Sequence, residues 1–491
     1  AVSGSGYKEI NGQKYLKLQK AGETDYNYTV RENNIIYDDR TNEATEYSLN
    51  ANFEILKNNE LQTVKQKASR YDPTGTSGAL VVDTTNKDVA MNIMYENAIF
   101  KVLPTTWLYM KYSDDDGKTW SDPVFLNGMV KPENSRVLVV GPGRGIQIKN
   151  GSYKGRLIIP VYDTSKSGII YSDDHGITWT YAQGPNTSSA AMSETQIVEM
   201  PDGSLKVYAR SNNSKIASAA SIDGGETWSA AQYVEGLTQP GWGSQLSVIR
   251  YDGLIDGKPA VIMSSPAGVG NYRRDGRVKI GLITDTNEEG IAKYQVEWKY
   301  DYSVDGQNVG FAYSCLTELP NHNIGLLYEK YDSYNPAELH SQDTIKYEEL
   351  TLSDLMGAKA VRVTTAVSGN GSVSKSNTAF AGTKITVLAI PDKGYRLAGW
   401  ISESGDVVHT ELTYTFTAAD DITLTAVFEK DPEETEIGKK ELEALILEIE
   451  RKDLDEYTEE SVNTLLKTVK VGREVLAMEE CSQGMMEITL N

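Results

Sequence analysis

The chain has 491 residues, 39% of them hydrophobic and 24% charged, which is enough for roughly three or four globular domains. Its formal net charge of -21 argues against nucleic acid or an anionic membrane surface as a partner, so an anionic ligand would need a local basic pocket. No apolar run is long enough to span a membrane. The four histidines show no metal-ligand spacing, and neither a metal nor another cofactor is expected. The two cysteines, Cys315 and Cys481, stand in segments assigned to different domains and imply no disulfide.

Residues 1–98 are predicted to form a small β-rich domain. They contain short alternating runs such as KYLKLQ and YNYTVRENNIIYDD, and the second run is expected to turn at Asn33 and Asn34. Nothing in this segment resembles a catalytic arrangement of side chains.

Residues 99–356 contain an internal repeat. Three copies of S-x-D-x-G-x-T-W stand at residues 113–120, 172–179 and 221–228, and a degenerate fourth turn is expected at 284–290. Their spacing is that of a four-stranded blade and predicts a β-propeller. In each copy the Ser and Asp side chains are expected to bind backbone groups of a tight turn, and the Trp to pack between neighbouring blades.

One hairpin of this region, ETQIVEMPDGSLKVYAR, carries charge at both ends. It is predicted to turn at Pro201-Asp202-Gly203, which places Glu194 and Arg210 opposite each other at the open end. In an isolated hairpin this would be a cross-strand ion pair worth about 0.2–1 kcal/mol.

The blade topology suggests a larger arrangement around this pair. If strands alternate in direction within each blade, the starts of first strands and the connections between second and third strands lie on one face. A propeller brings such blade ends around a central pocket. The residues predicted to meet there are Glu194, Gln245 and Tyr313 at starts of first strands, Arg210 and Arg273 at connections, and Glu329 opposite Tyr313.

The three boxes resemble the Asp-boxes of sialidases, and residues 1–355 resemble a bacterial exo-α-sialidase, or neuraminidase, with a six-bladed propeller. In that family a Glu in an E-[ST]-x-V-like strand activates a Tyr nucleophile in an F-A-Y-S segment. The resemblance therefore implies Glu194 in ETQIV as the base and Tyr313 in GFAYSCLTEL as the nucleophile.

The resemblance also implies arginines that bind the carboxylate of sialic acid. These are Arg210 in VYARS and Arg273 in YRRDGRVKI, with Arg274 as the competitor for the second position. Gln245 is expected to meet substrate hydroxyls, and Glu329 matches a family Glu that positions another arginine. For Gln245 and Glu329, packing at a blade edge remains the alternative.

A tyrosine nucleophile suits this substrate because sialic acid carries its carboxylate on the anomeric carbon. A carboxylate nucleophile would meet a repulsion of roughly 4 kcal/mol at about 4 Å and an effective dielectric constant near 20. A neutral Tyr avoids this repulsion but needs a base to take its proton. Two successive displacements predict hydrolysis with retention. The alternatives are an intramolecular trans-sialidase that releases an anhydro sugar, and a sialic-acid-binding adhesin without catalytic activity.

The resemblance further implies sialylated glycans as partners and a secreted or cell-surface bacterial protein. Complete family members begin with an R-I-P-like motif carrying a first arginine, then an Asp acid/base and a first Asp-box, none of which is found here. We therefore expect an incomplete propeller that belongs to a longer enzyme. General acid catalysis contributes about 10²- to 10⁴-fold, so this chain alone is expected to be inactive or weak.

Two further modules follow the propeller. Residues 357–430 alternate strictly and resemble a bacterial surface β-repeat, which is expected to be a spacer with a buried Trp400; glycan binding through Tyr395 or Trp400 is the alternative. Residues 431–491 are acidic and resemble a truncated helical repeat. Its first helix is predicted from Leu442, Leu445, Ile446 and Ile449, its second from Val462, Leu465, Leu466 and Val469, and Thr458 is a candidate N-cap.

Overall fold

The computed structural model describes residues 2–71, 80–163, 166–268, 270–331, 343–431 and 437–450, except Asn186 and Ser189, and separate positions between 461 and 473. These residues form two compact units. The first comprises residues 1–250, 261–319 and 324–349, and the second comprises 251–260, 320–323 and 350–491. Of the helices that the structure describes, none combines the length and the apolar character needed to cross a membrane.

The chain begins with a β-rich segment. Eight of its strands share one sheet in the order β1 to β7, with β10 paired to β2, and β8 pairs with β9. Asn33 and Asn34 both adopt positive φ in the tight turn between β3 and β4, as expected for Asn. The strands are β1 (Tyr7–Ile10), β2 (Gln13–Lys20), β3 (Tyr28–Val30), β4 (Ile35–Asp38), β5 (Glu43–Leu49), β6 (Ile55–Lys57), β7 (Glu60–Leu61), β8 (Thr63–Tyr71), β9 (Leu80–Ala90) and β10 (Phe100–Val102).

The sheet of this segment continues past residue 98. Strand β10 pairs with residues 18–20 of β2, and Phe100 is fully buried in the same core as Leu18 and Ile36. The sheet therefore extends to Val102, beyond the predicted boundary at residue 98.

The next region consists of successive antiparallel sheets with blade topology, and the predicted mainly-β propeller class is confirmed. Four sheets are named blades I to IV. Before them lie β11 (Tyr109–Met110), β12 (Val124–Phe125) and the short helix α1 (Asn127–Val130). Blade I has β13 (Val139–Val140), β14 (Ile146–Gln147), β15 (Leu157–Asp163), β16 (Lys166–Ser172) and β17 (Thr180–Gln183). Blade II has β18 (Ser193–Glu199), β19 (Leu205–Arg210), β20 (Lys215–Ser221) and β21 (Gln232–Thr238). Blade III has β22 (Ser247–Ile255), β23 (Lys258–Pro266), β24 (Gly276–Asp285) and β25 (Tyr294–Val304). Blade IV has β26 (Gly310–Glu318), β27 (Ile324–Tyr331) and β28 (Asp343–Leu350).

The three repeated boxes form the same hydrogen-bonded turn. In the box at 172–179, Asp174 accepts hydrogen bonds from the backbone and hydroxyl of Thr178, and Gly176 donates its N–H to Ser172. The residue before the glycine has positive φ in every copy, whether it is Asp116, His175 or Gly224. Side-chain hydrogen bonds therefore replace backbone pairing in these turns, as the sequence predicted.

The Trp that closes each box is not buried to the same extent. Trp179 is 5% exposed and Trp228 packs against the core between blades I and II, as expected. Trp120 is 59% exposed, so the expected packing between blades fails there. The adjacent sheet of β11 and β12 has only two residues in each strand within the described chain, and it offers Trp120 little surface to pack against.

The second unit contains a β-domain and a helical segment. Its helix α2 (Leu352–Met356) has a Thr351 capping box. The strands are β29 (Ala360–Ser368), β30 (Gly371–Val373), β31 (Asn377–Phe380), β32 (Thr383–Pro391), β33 (Tyr395–Ser402), β34 (Val407–His409), β35 (Thr413–Ala418) and β36 (Ile422–Lys430). Trp400 is fully buried in their core, and its indole N–H donates to the Glu411 carbonyl. The expected spacer-type Trp is therefore observed, and Trp400 is not exposed to a ligand.

Helix α3 (Ile437–Glu450) has the predicted apolar stripe, with Leu442 and Ile446 buried. Of the residues predicted for a second helix, Val469 is buried and Leu466 is 49% exposed, so Leu466 does not share the buried face. Thr458 and Cys481 lie outside the described residues.

Candidate active site

The predicted hairpin of blade II forms, and its open end is irregular. Met200 and Ser204 close the turn at residues 201–203. At the other end the pairing shifts between Ser193 and Gln196, so that the Cα partner of Arg210 is Ser193. Glu194 stands in this bulge with φ of 46°, in the left-handed region. Such a conformation costs about 1–3 kcal/mol for a non-glycine residue and persists where the surrounding structure fixes it, often at functional sites.

Tyr313 stands in a second bulge, on β26 of blade IV. The pairing of β26 with β27 shifts between Phe311 and Ser314, which removes Tyr313 from the regular ladder. Its side chain is half-buried. Both candidate catalytic residues are therefore presented by irregular first strands, as bulges near active sites commonly do.

The structure brings these residues into direct contact. The Tyr313 hydroxyl donates a hydrogen bond of 2.6 Å to Oε1 of Glu194. Nη1 of Arg210 donates to Oε2 of Glu194 at 2.9 Å and to the Tyr313 hydroxyl at 3.1 Å. A hydroxyl, a carboxylate and a guanidinium thus form a closed triangle, with the side chain of Glu194 only 10% exposed.

Arg273, rather than Arg274, is the second arginine at this position. Its guanidinium carbon lies 5.2 Å from the centre of the Tyr313 ring, within the range of a cation–π contact. The side chain of Arg274 instead lies over Tyr272 and reaches Asn308. Within the described chain, the terminal nitrogens of Arg273 have no hydrogen-bond acceptor, and its Nε donates weakly to the Gly243 carbonyl at 3.4 Å.

These surroundings affect the acidity of the phenol. Burial, together with the hydrogen bond and the charge of Glu194, raises the pKa of Tyr313 to about 12, although the charges of Arg210 and Arg273 lower it. Tyr313 is therefore protonated at neutral pH, and its proton is already shared with Glu194. The site can transfer that proton to a carboxylate while two cations stabilise negative charge.

Gln245 and Glu329 are found behind Tyr313. The Gln245 amide donates to the carbonyls of Ser314 and Pro142 and accepts from the Ser314 N–H, and the residue is 2% exposed. Glu329 accepts from the Tyr313 N–H at 3.4 Å. Both side chains thus satisfy backbone groups at or next to the bulge. For Gln245 this geometry favours the alternative of packing at a blade edge, in support of the segment that carries Tyr313.

Two residues at the site were missed by the sequence analysis. The Nη2 group of Arg210 donates to the Trp242 carbonyl at 2.9 Å, and the Trp242 side chain is 67% exposed. Gly243 has φ of 70°, and a Cβ there would lie 2.3 Å from the Ser211 carbonyl oxygen, so this close turn requires glycine.

The second missed residue is Tyr162, at the end of β15. Burial raises its pKa, and the charges of Glu194 and Arg210 act on it in opposite directions. It occupies in blade I the place that Arg210 occupies in blade II, at the connection between the second and third strands. The rule that found Arg210 could therefore have found Tyr162.

Among the residues that the structure describes, no three His, Cys, Asp or Glu side chains cluster as a metal site would require.

Known families match two regions of this chain. A family model described as a BNR repeat-like domain matches residues 62–318, and a divergent InlB B-repeat domain matches residues 361–432. An anhydrosialidase from Macrobdella decora is 49% identical over 361 residues, which are 73% of this chain and 47% of the relative. Sialidase B from Streptococcus pneumoniae is 39% identical over 355 residues, or 72% of this chain and 48% of the relative.

The solved structures give the same result. The intramolecular trans-sialidase from Ruminococcus gnavus superposes with a TM-score of 0.67 at 48% identity, covering 72% of both chains. The leech intramolecular trans-sialidase gives a TM-score of 0.67 at 47% identity, covering 73% of this chain and 52% of that one. The chain spans about half the length of the curated relatives it matches. With a family model over more than half of its length and relatives of this identity, the chain belongs to the sialidase family.

Proposed function

We propose that this chain carries the nucleophile, base and carboxylate-binding residues of an enzyme that cleaves terminal α-linked sialic acids from glycoconjugates. The observation that carries the proposal is the hydrogen bond of 2.6 Å from the Tyr313 hydroxyl to Glu194, with Arg210 in contact with both groups. A nucleophile within hydrogen-bond reach of a base that is itself oriented by a third group is the arrangement required for covalent catalysis. It favours an enzyme over a non-catalytic adhesin.

In the proposed first step, the Tyr313 oxygen attacks the anomeric carbon of the sialoside. Its proton passes to Glu194, and the bond between the anomeric carbon and the leaving-group oxygen breaks. The departing oxygen keeps the electron pair of that bond and takes a proton from water, unless a general acid outside this chain supplies it. Arg210 remains in contact with both partners, so it can stabilise the phenolate character that develops on Tyr313 before the new bond is complete. A second displacement at the same carbon gives overall retention.

The charge balance of the pocket supports an anionic substrate. Two guanidinium groups face one carboxylate, so one positive charge is left for a ligand. The terminal nitrogens of Arg273 have no acceptor in the described chain, and a guanidinium can bind a carboxylate with two parallel hydrogen bonds. Arg210 is already shared by Glu194, Tyr313 and Trp242, and Arg273 is accordingly the main carboxylate ligand in this proposal.

The proposal is tested by trapping the covalent intermediate. The chain is incubated with a 2,3-difluorosialic acid, whose fluoride leaving group needs little protonation, and its mass is then measured intact and after digestion. We expect one sugar adduct, located on Tyr313, because fluorine at carbon 3 slows the second displacement. Glu194→Gln is expected to slow labelling, because general base catalysis contributes about 10²- to 10⁴-fold.

The controls separate a specific reaction from general reactivity. Tyr313→Phe should remain unlabelled, while Tyr162→Phe should retain the adduct. Arg273→Ala should label only at higher reagent concentration, and Arg274→Ala should behave as the parent does. An adduct on a carboxylate, or no adduct on the parent chain under conditions that label a known sialidase, would overturn the proposal.

A second candidate concerns the fate of the intermediate. Release by a hydroxyl of the same sugar, instead of by water, would make the protein an intramolecular trans-sialidase. This is supported by the identity to the anhydrosialidase of 49% and to the Ruminococcus gnavus enzyme of 48%.

The product distinguishes the two candidates. The leech enzyme was solved with 2,7-anhydro-Neu5Ac, and such a product is lighter than free sialic acid by one water. The protein is incubated with a sialoside, and the released sugar is examined by mass spectrometry and NMR. An anhydro product identifies intramolecular transfer, whereas free sialic acid appearing first as the α-anomer identifies hydrolysis. First release of the β-anomer contradicts the tyrosine mechanism itself.

We also propose that the protein is secreted or attached to the surface of a bacterial cell. The match of residues 361–432 to a divergent InlB B-repeat domain supports this, and that segment has a hydrophobic core of its own. Fractionation of the producing cells tests it. Recovery of the protein only inside the cells would refute it.

A further inference from the structure

A cavity of about 520 Å³ is lined by residues of β1 and β2, by the end of α1 with the segment that follows it, and by β17 of blade I. It shares no lining residue with the Tyr313 site. Helix α1 touches both β2 and β17, so it joins the two walls of the cavity. The volume falls within the range of small-molecule pockets in proteins, about 300–1,000 Å³.

One wall is a face of the hairpin formed by β1 and β2. Glu9 and Lys14 are Cα partners in this ladder, and Tyr7 stands two positions before Glu9, so all three side chains project from the same face. The ammonium of Lys14 donates to the Gly128 carbonyl at 3.0 Å, which leaves two of its three protons for a ligand. Glu9 forms no hydrogen bond or ion pair within the described chain, so its carboxylate is also available.

Two tyrosine hydroxyls open into this cavity. Tyr7 and Tyr181 are half-buried, and neither hydroxyl has a hydrogen-bond partner among the described residues. Both are absent from the polar atoms that are buried without a partner, so a ligand can reach them. Each ring lies against a glycine: a Cβ at Gly128 would be 2.9 Å from the ring of Tyr7, and one at Gly168 would be 3.0 Å from the ring of Tyr181. Burial raises the pKa of Tyr7 to about 12 and raises that of Tyr181 as well, so both hydroxyls can donate at neutral pH.

The segment after α1 adds an acceptor and apolar surface. Oε1 of Glu133 accepts a hydrogen bond from the hydroxyl of Ser5, and its Oε2 has no hydrogen-bond partner in the part of the chain that the structure describes. The ammonium of Lys131 is already bound to hydroxyl and carbonyl oxygens of the chain, so it offers a ligand no proton. Met129 and Pro132 supply the apolar part of the lining.

The free groups select the type of ligand. The two phenols and Lys14 can donate, Glu9 and Glu133 can accept, and the charges of the two lysines and two glutamates cancel. A neutral molecule that both donates and accepts therefore fits better than an anion. A sugar ring has this character, because each of its hydroxyls does both, and its C–H groups can pack against aromatic rings, whose faces are negative. An apolar ligand would leave the polar groups unpaired, at a cost for each of them.

We propose that this cavity binds a neutral hexopyranose. Sugar hydroxyls donate to Glu9 and Glu133, and sugar oxygens accept from Tyr7, Tyr181 and Lys14. The site binds without a catalytic step. The inference goes beyond the proposed function and does not depend on the role of Tyr313.

Binding is tested by NMR on the full chain labelled at the tyrosine ζ-carbon, with methyl β-galactopyranoside and methyl β-glucopyranoside as probes. The signals of Tyr7 and Tyr181, assigned from their Phe variants, should shift with at least one of the two sugars, while the Tyr313 signal should not. Affinities are measured on the sugar by saturation-transfer NMR. Tyr7→Phe and Tyr181→Phe should each weaken binding about threefold, and the double variant about tenfold, as expected for the loss of one and two hydrogen bonds. Tyr109→Phe removes an exposed hydroxyl outside the cavity and should leave the affinity unchanged.

A second pair of variants tests the carboxylate. Glu9→Ala should weaken binding about tenfold, because hydrogen bonds to charged groups are the stronger ones. Glu235→Ala removes an exposed carboxylate from blade II and should leave the affinity unchanged.

Thermal unfolding separates lost binding from lost folding. Because the two phenol hydroxyls have no partner in the ligand-free chain, the Phe variants should keep the melting temperature of the parent, and a large decrease would contradict the assignment. Unshifted Tyr7 and Tyr181 signals with both sugars, equal affinity of the double variant and the parent, or equal shifts with glycerol at the same concentration would each overturn the proposal.

Discussion

Replacement of Glu194 by Gln is expected to lower the pKa of Tyr313 by about one unit or more. The Tyr313 oxygen and Oε1 of Glu194 are 2.6 Å apart, and two unit charges at that distance interact by about 1.6 kcal/mol even at the dielectric constant of water, or about one pKa unit. This value is a lower limit because the tyrosine is half-buried. The pKa of about 12 should therefore fall to about 11 or below, while burial and the two arginines remain.

The assay is an NMR titration of chain labelled at the tyrosine ζ-carbon, with the Tyr313 signal assigned from Tyr313→Phe. At about pH 11, Tyr313 should remain mainly protonated in the parent and be half or more deprotonated in Glu194→Gln. Glu235→Gln, which removes an exposed carboxylate from the same blade, should titrate as the parent does. If the Glu194→Gln and parent curves coincide, Glu194 does not hold the tyrosine proton and the proposed base is wrong.

Three further outcomes follow from the packing and the turns. Trp179→Ala should lower the free energy of unfolding by about 3–5 kcal/mol and Trp120→Ala by only about 0.5 kcal/mol. The reason is that the indole of Trp179 is buried, whereas Trp120 is 59% exposed. Equal losses of unfolding free energy for the two variants in denaturant titrations would contradict this. Gln245→Ala should cost about 1–3 kcal/mol for each Ser314 backbone group left unpaired, and an unchanged melting temperature would show that those groups find other partners. Hydrogen bonds from Thr178 lower the pKa of Asp174 from 3.8 to about 2, so the stability that ionised Asp174 gives the fold is complete above about pH 4 and is lost as the pH falls through about 2. The melting temperature of Asp174→Asn should therefore vary less with pH over that interval than that of the parent. Parallel curves of melting temperature against pH for the two proteins would refute the assignment.

The hairpin of blade II shows how far local sequence pattern extends. The turn residues and the alternation of apolar side chains predicted both strands and brought Glu194 near Arg210, because a hairpin fixes its register through its turn. The bulge at Ser193 shifted the backbone partner of Arg210, and only the length of the arginine side chain preserved the contact. The boxes were predictable for the same reason, since each turn is closed by side chains within eight residues.

Other features depended on contacts that no local pattern specifies. The sequence could not decide which of Arg273 and Arg274 lies at the Tyr313 site, since neighbouring residues point to opposite faces. The register of this segment depends on blade IV, where Arg274 forms an isolated β-bridge with Gly310. The burial of Trp179 and the exposure of Trp120 depend on neighbouring sheets in the same way. The sequence left Gln245 open between a contact with substrate hydroxyls and packing at a blade edge, and the structure shows its amide hydrogen-bonded to the backbone of Ser314 in blade IV.

The sequence by itself determined the strands, the turns, the modules and the residue types of the candidate site, because these depend on periodicity and on side chains within a few positions of one another. Only the tertiary structure decided which blade ends meet. Tyr313 contacts Glu194 across 119 residues and Arg210 across 103, and such contacts form when apolar faces of successive blades pack together. Long-range packing therefore placed Trp242 and Tyr162 at the site, because the contacts between two blades depend on the side chains of both.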